Sequence, residues 1–461
     1  MEFLLIVYSI CSKPNSMAAC LKSEKILNMK PNQNNYKKRL VIIGGGFAGL
    51  NVAKRIDKNL WDVTLVDRNN YHSFPPLFYQ VASSGLEPAS ITFPLRREFT
   101  RRSYRGCSFR LGKVMGIDAG KHTVSTKNET IPYDTLVIAA GTTNNFFGIP
   151  DLQKHVFTLK STMEAVRCRN EFLDRLERAA ICTDETRRRR LLTFVVIGGG
   201  PTGVEIAGAL GEMKRYVIKR EYPEIDPDSV RVVLVEGSDR LLRTMSEKSS
   251  ADALVDLGKL MVEVQLQKTM TAYTDGRATF ADGSYIDTDT LIWTAGITGV
   301  PFQITGAPVE QGRGGRFVVD EYNAVQGVDD IYAIGDIALM ETPAYPHGHP
   351  QLAQVAIQQG QLLARNLNAK EPRKQFVYRD KGSMATIGRN KAVVDMGKAH
   401  LNGWIAWLAW MFVHLLTLLG MRNKTVVLVN WIWGYFTFST SLRLLFRPAR
   451  YPLRHYWEAE S

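Results

Sequence analysis

Cysteine is scarce and unpatterned: Cys11, Cys20, Cys107, Cys168 and Cys182 include no Cys-x-x-Cys pair, and none lies beyond Cys182. That leaves no ligand spacing for an iron–sulfur cluster or a zinc, so no metal site is expected, and no dithiol relay. An odd, unpatterned set also suits a reducing compartment. No zinc-finger spacing and no aromatic-interleaved basic ribbon is present, so nothing points to nucleic acid as the partner. A clean run of about 20 apolar residues, the length of a spanning helix, is missing too. So is a secretory leader, because the short apolar run Leu4 to Ile10 follows Glu2, where such a leader carries positive charge. Residues 1–35 are expected to be a disordered extension, with Met17 or Met29 as alternative starts. Lipidation of Cys11 is a lesser alternative, since the bulky Ile10 precedes it.

Positive charge, by contrast, is abundant. Lys and Arg number 58 against 45 Asp and Glu, a net +13, which favours an anionic partner such as lipid headgroups or a dinucleotide. One cluster comprises Arg96, Arg97, Arg101, Arg102 and Arg105; another runs from Arg187 to Arg190 and reads more simply as a solvated helix face. At 461 residues the chain fits two or three domains.

Two glycine-rich fingerprints stand out, LVIIGGGFAG at Leu40 to Gly49 and FVVIGGGPTG at Phe194 to Gly203. Such glycines serve a tight strand-to-helix turn, close approach of backbone to a pyrophosphate, and close packing of helix on sheet. Gly44, Gly46 and Gly49 take these places first, and Gly198, Gly200 and Gly203 take them again. Each copy is followed by a strand ending in an acid, Asp67 and Glu236, as a ribose diol requires. Eighteen residues separate Gly49 from Asp67, but thirty-three separate Gly203 from Glu236, because the charged stretch KRYVIKREYPEIDPDS lengthens the crossover. An acid there accepts a 2′-hydroxyl and repels a 2′-phosphate. NADH, not NADPH, is expected at the second site, with Arg240 nearby as the one contrary feature.

Beyond the first unit, NNYHSFPPLFYQVASSG reads as a loop over a cofactor rather than a helix. YDTLVIAAGT, running out at Gly141, and DTLIWTAGI, running out at Gly296, read as paired buried strands that bracket the second fingerprint. Residues 152–295 therefore read as a domain inserted into another made of 36–151 and 296–385. The first domain resumes with DDIYAIGDIA, which carries Asp336 after Gly335. A helix is expected from about Pro350, its N-terminus favouring a negative charge. From Trp404 the character changes, with two uncharged stretches, Trp404 to Leu419 and Thr425 to Leu442, crowded by Trp, Tyr, Arg and Lys. Residues 386–461 are expected to lie on a membrane surface; a transmembrane hairpin and a buried soluble dimer interface are the alternatives.

With these residues in view, the chain resembles the type II NADH dehydrogenases, single-subunit NADH:quinone oxidoreductases of the two-dinucleotide-binding flavoprotein superfamily. The likeness runs from about Lys38 to the C-terminus and rests on GGGPTGVEIAGAL at Gly198, AIGDIA at Ala333, AQVAIQ at Ala353, DKGSMATIGRNKAV at Asp380 and the tryptophan-rich end. It implies an α/β fold of two Rossmann-like domains, the NADH domain inserted into the FAD domain, with an amphipathic helical membrane-anchoring region. FAD would lie on Gly44, Gly46, Gly49, Asp67 and Asp336, and NADH on Gly198, Gly200, Gly203 and Glu236, with Phe47, Ala48, Val114, Gly141, Gly296 and Gly335 as further cofactor-binding residues. Glu205 matches the family's carboxylate near nicotinamide and flavin; the bland alternative is an acid stabilised by the dipole in a first helical turn. Ala353, Gln354 and Gln358 would border the quinone, with Lys381 near its oxygens. A homodimer on the cytoplasmic face of the cell inner membrane is implied, against an anionic lipid surface. With neither an iron–sulfur pattern nor a polytopic segment, no proton pumping is expected.

Three rivals share the scaffold. A sulfide:quinone oxidoreductase needs reactive cysteines near its flavin, and a ferredoxin or rubredoxin reductase has no use for the tail. A flavin-bound interaction protein of apoptosis-inducing type is permitted by the basic charge.

Overall fold

The computed structural model describes residues 37–369, 372–437 and 442–446. The expected N-terminal extension lies outside them, as do the arginines from Arg447 onward. Within the described part the two fingerprint strands are central because nearly every side chain along them is buried, as in a parallel strand covered on both faces.

The first unit runs β1 (Lys38–Ile43), α1 (Phe47–Arg55), β2 (Trp61–Asp67), α2 (Phe78–Ala82) and β3 (Cys107–Leu111). An antiparallel trio comes next, β4 (Val114–Asp118), β5 (Thr123–Thr126) and β6 (Thr130–Pro132), and then β7 (Thr135–Ile138). The second unit repeats the plan. It starts with β8 (Phe157–Thr158) and α3 (Thr162–Ala180), then β9 (Thr193–Ile197), α4 (Pro201–Glu212), β10 (Arg231–Val235), α5 (Glu247–Lys259) and β11 (Val262–Gln265). Its trio is β12 (Met270–Thr274), β13 (Arg277–Phe280) and β14 (Tyr285–Asp287), before β15 (Thr290–Trp293). The chain then contributes β16 (Ile331–Ala333) and α6 (Ala353–Asn368).

Both major sheets are parallel and five-stranded, ordered β16-β7-β1-β2-β3 and β8-β15-β9-β10-β11. In each, the third crossover counted from the fingerprint strand passes through the antiparallel trio, since parallel strands need such a crossing connection. The fifth strand differs in origin. β8 precedes its own fingerprint, whereas β16 arrives only after the second unit is complete.

A third unit closes the chain: an antiparallel sheet of β17 (Ser383–Thr386), β18 (Ala392–Met396) and β19 (Ala399–Asn402), then α7 (Gly403–Thr417) and α8 (Met421–Thr437). With 15 and 17 residues, the two helices reach about 22 and 26 Å, short of a hydrocarbon core about 30 Å thick. Among the described residues no helix is long and apolar enough to cross a membrane. α7 buries only Ala406 and Trp410, and α8 only Asn423 and Val427. Trp404, Ile405, Phe412, Leu416, Met421, Val429, Ile432, Trp433 and Phe436 stand exposed, a broad apolar face on the molecule's surface.

Three expectations need correction. The stretch after Asn69 is not a loop: Pro75 and Pro76 open a 3-10 turn, where a missing N–H costs nothing, and α2 comes directly after it with Phe78, Tyr79 and Val81 buried in the core. α6 starts at Ala353 rather than Pro350, since Gln351 and Leu352 lie outside it and Leu352 is its extended cap. The division between residues 385 and 386 cuts β17, whose Ala385 and Thr386 pair with Val393 and Ala392, so the third unit begins earlier.

Candidate functional site

The two fingerprints fold alike. Gly44 and Gly198 sit at φ +106° and +110°, a region L side chains rarely adopt. A Cβ on Gly49 would lie 2.0 Å from the Gly44 carbonyl oxygen, and one on Gly203 would lie 1.8 Å from that of Gly198. Gly46 and Gly200 differ, having open space where a Cβ would point and extended backbone that any residue could adopt. The outer glycines thus serve the protein's own packing, and the middle position leaves a vacant approach at the helix N-terminus. That arrangement fits a pyrophosphate held by backbone N–H groups.

The acids close both cradles in the same way. Asp67 Oδ2 accepts from Gly45 N at 2.6 Å, and Glu236 Oε2 accepts from Gly199 N at 2.5 Å. Their other oxygens take Asn69 N at 2.7 Å and Ser238 N at 2.7 Å. Both Asp67 oxygens and Glu236 Oε2 keep a lone pair for a ribose hydroxyl, while Glu236 Oε1 also takes the Ser238 hydroxyl at 2.8 Å. Arg240 turns away from this acid: its guanidinium donates to the carbonyls of Arg243 and Met245 and to Ser250 Oγ.

The remaining residues expected around the first cradle converge on it from four segments. Phe47 packs edge-on against His72 and Phe74. Ala48 meets Gly335 and α6, since a Cβ on Gly335 would lie 3.3 Å from the Ala48 and Ala356 methyls. Gly112 donates to the Asp67 carbonyl, which brings Val114 and β4 alongside. Gly141 and Gly296 have positive φ at the ends of β7 and β15, as running-out strands require. Burial raises the Asp336 carboxyl, and the charges of Lys160 and Arg316 pull it back.

Glu205 is the second cradle's unusual member. It is the fifth residue of α4, beyond the first turn, so the dipole-stabilised acid is not what the structure contains. The carboxyl is 8% exposed, and burial pushes it up to about 8; the Thr386 backbone N–H, 3.5 Å from Oε1, opposes that. A carboxyl so placed can hold a proton near neutral pH and release it.

Gln354, Gln358 and Lys381 come together as expected, beside Ala353 at the start of α6. Gln354 Oε1 accepts from Lys381 N at 3.0 Å, and its Nε2 donates to the Gly382 carbonyl at 3.1 Å. Gln358 makes the matching pair with Arg379, accepting from N at 3.0 Å and donating to O at 2.9 Å. Both amides therefore fasten the segment bearing the exposed Lys381 to α6. β17 then leads to Thr386, whose Cα is at most about 17 Å from that of Lys381 at some 3.4 Å per residue. Glu205 and Lys381 thus lie toward opposite ends of this strand.

Sequence reasoning missed Gln359, which accepts from Gly335 N at 2.7 Å, and Lys160, which faces Asp336. It also missed Tyr79 and Thr386, bonded at 2.9 Å beside Glu205. Gln359 lies within one residue of the AQVAIQ motif; the others have no local signal. The described cysteines are free thiols, and burial pushes Cys107 up to about 11 and Cys168 up to about 12. No cluster of metal-ligating residues occurs among the described residues.

Residues 38–360 match the family described as pyridine nucleotide-disulphide oxidoreductase, the class of enzyme that paired dinucleotide folds of this kind define. Residues 381–437 match the NDH2 C-terminal domain. A type II NADH:quinone oxidoreductase of Mycobacterium tuberculosis is 35% identical over 410 residues, covering 85% of this chain and 87% of that protein. A mitochondrial internal alternative NAD(P)H-ubiquinone oxidoreductase of Solanum tuberosum is 30% identical over 447 residues, with 89% of each covered. The chain belongs to the type II NADH:quinone oxidoreductases. Its fold is similar to that of NDH2 from Plasmodium falciparum, solved with NADH, at a TM-score of 0.81 and 21% identity over 89% of this chain and all of that one. A sulfide:quinone oxidoreductase of Aquifex aeolicus shares the fold at a TM-score of 0.65 and 18% identity, over 87% of this chain and 96% of that one.

Proposed function

We infer that the protein carries two electrons from NADH to a membrane quinone, with FAD as its resident cofactor. The observation that carries this reading is the pairing of two acid-tipped dinucleotide cradles with a third unit whose apolar helices reach back to the buried Glu205. FAD, when bound, supplies the hydride-accepting and electron-passing chemistry.

The chain's own residues bind, orient and handle protons. Gly46 with Asp67, and Gly200 with Glu236, fix the two dinucleotides, and Glu236 with Arg240 turned aside selects the free 2′-hydroxyl of NADH over NADPH. Glu205 holds a proton at its carboxyl in a site that excludes water, ready for an acceptor oxygen. Gln354 and Gln358 fix the segment that presents Lys381 beside the quinone. The protonated thiols of half-buried Cys107 and buried Cys168 do not serve sulfide chemistry. Electron transfer proceeds without proton pumping.

The apolar faces of α7 and α8 lie on the inner membrane, peripherally on its cytoplasmic side. Phe93 bridges this face to the first arginine cluster: a Cβ on Gly420, between the helices, would meet its ring at 2.5 Å, while Arg97 and Arg101 lie over that ring at 5.9 and 5.2 Å. With Arg422 and Lys424 these form a cationic rim suited to anionic headgroups. A homodimer, each copy presenting one such face, completes the assembly.

Anaerobic titration of the detergent-purified holoenzyme tests this reading. Flavin absorbance is expected to bleach with NADH and not NADPH, and to return when a soluble quinone is added. Bleaching without return would discard the quinone assignment and favour a protein acceptor.

A further inference from the structure

A chain of side-chain hydrogen bonds runs from α8 to Thr386, whose backbone N–H faces Glu205, and its polarity is fixed at the outer end. An indole N–H can only donate, so Trp431 Nε1, 2.8 Å from Gln80 Oε1, sets the orientation of the amide. Gln80 Nε2, itself a donor only, then lies 2.8 Å from the Tyr79 hydroxyl oxygen, which must accept. The phenolic hydrogen is left to Thr386 Oγ1 at 2.9 Å, and the Thr386 backbone N–H faces Glu205 Oε1 at 3.5 Å. Every donor points inward, from the exposed-faced helix to the buried carboxyl. The Tyr79 bond fastens Thr386 with its backbone N–H aimed at the carboxyl, and a donor held there favours the carboxylate over the acid.

The surroundings supply no competing control. Among the described residues no lysine, arginine or histidine bonds to the Glu205 carboxyl. On its own helix, Glu212 takes the N–H of Arg389, with Lys391 also near. From α7, His414 stacks on Trp410 at 4.0 Å and is bonded to that residue's carbonyl, and Trp410 packs edge-on against the Tyr79 ring. Tyr79, on α2, is the ionisable group whose charge couples to Glu205.

We propose that Trp431, Gln80 and Tyr79 are positioning residues, a one-way donor chain that sets the proton affinity of Glu205 and ties it to the seating of α8. The proposal rests on the reading of Glu205 as the proton-holding group of quinone reduction.

The test is the pH profile of NADH:quinone turnover by the full-length holoenzyme in detergent, from about pH 5 to about pH 10. Tyr79→Phe is expected to raise the Glu205 inflection by about one unit and Trp431→Phe by about half a unit, with KM for NADH unchanged. Tyr285→Phe, an exposed ring of the second unit outside both sites and the membrane face, is expected to leave the inflection in place. Glu205→Gln is expected to abolish it, and adding Tyr79→Phe to that variant should change the profile no further. An inflection surviving in Glu205→Gln overturns the reading of Glu205 and the chain with it. An inflection lost in Glu205→Gln but unmoved in both Tyr79→Phe and Trp431→Phe overturns the chain alone.

Discussion

The two dinucleotide units share sheet order, glycine geometry and the bond that the acid accepts from the backbone N–H of Gly45 or Gly199, yet differ two residues past the last glycine. In the first unit that position is Asn51, whose amide donates to the Phe47 carbonyl in its own helix and accepts from Arg55. In the second it is Glu205, buried and facing the third unit. What the repeat holds in common is the means of binding a dinucleotide. Its departure marks where the chemistry of one site is joined to another. The same contrast appears at the sheet edge, where the second unit is contiguous and the first waits for β16, Gly335 and α6.

The largest effects are expected at the third glycine, where the two units should respond alike. Gly49→Ala and Gly203→Ala each drive a methyl into a carbonyl and are expected to cost about 3 kcal/mol or more, read by thermal unfolding. Gly46→Ala and Gly200→Ala, in open space, should cost the fold about 1 kcal/mol or less. They should separate the sites instead: the first lowers the FAD content of the purified protein, the second raises KM for NADH about tenfold with FAD retained. Equal stability losses at the middle and third positions would remove the distinction.

Titration of Glu205 sets the second unit apart from the first. An unfolded carboxyl ionises near its ordinary value of 4.5, the folded one at about 8, so stability falls as pH rises between those values and is level above. Glu205→Gln should therefore stabilise the protein at about pH 8.5 relative to about pH 4, by an amount on the order of a few kcal/mol. Asn51→Gln should show no such pH dependence in its melting temperature.

Smaller effects are expected at the rims of the two sites. Glu236→Ser should narrow the preference for NADH over NADPH about tenfold, measured as a ratio of kcat/KM. Arg97→Gln with Arg101→Gln should weaken co-sedimentation with anionic vesicles by about thirtyfold, at roughly 1 kcal/mol per charge, and leave neutral vesicles unaffected.

Much of the architecture is legible in the sequence because it is local. The fingerprints, the acids at Asp67 and Glu236, the strands before Gly141 and Gly296, and the helical character after Ala353 are patterns within short windows. Elsewhere, contacts distant in sequence decide. Pro75-Pro76 signals a loop, yet tertiary burial of Phe78 and Tyr79 makes a helix of Phe78–Ala82. Glu205 reads as an acid of a first turn because fingerprint spacing does not state where the helix begins. The partnership of Tyr79 with Thr386, or Gln80 with Trp431, spans about 300 residues or more and has no trace in either segment alone.

In the function proposed above, one flavin site joins an NADH cradle to a quinone, and Glu205 is the group proposed to link them. Stopped-flow measurement of the two half-reactions, in the wild type and in Glu205→Gln, separates that role from a purely structural one. Flavin reduction by NADH is expected to be unchanged and reoxidation by quinone slowed about a hundredfold. Equal slowing of both half-reactions, or of neither, would contradict the linking role of Glu205.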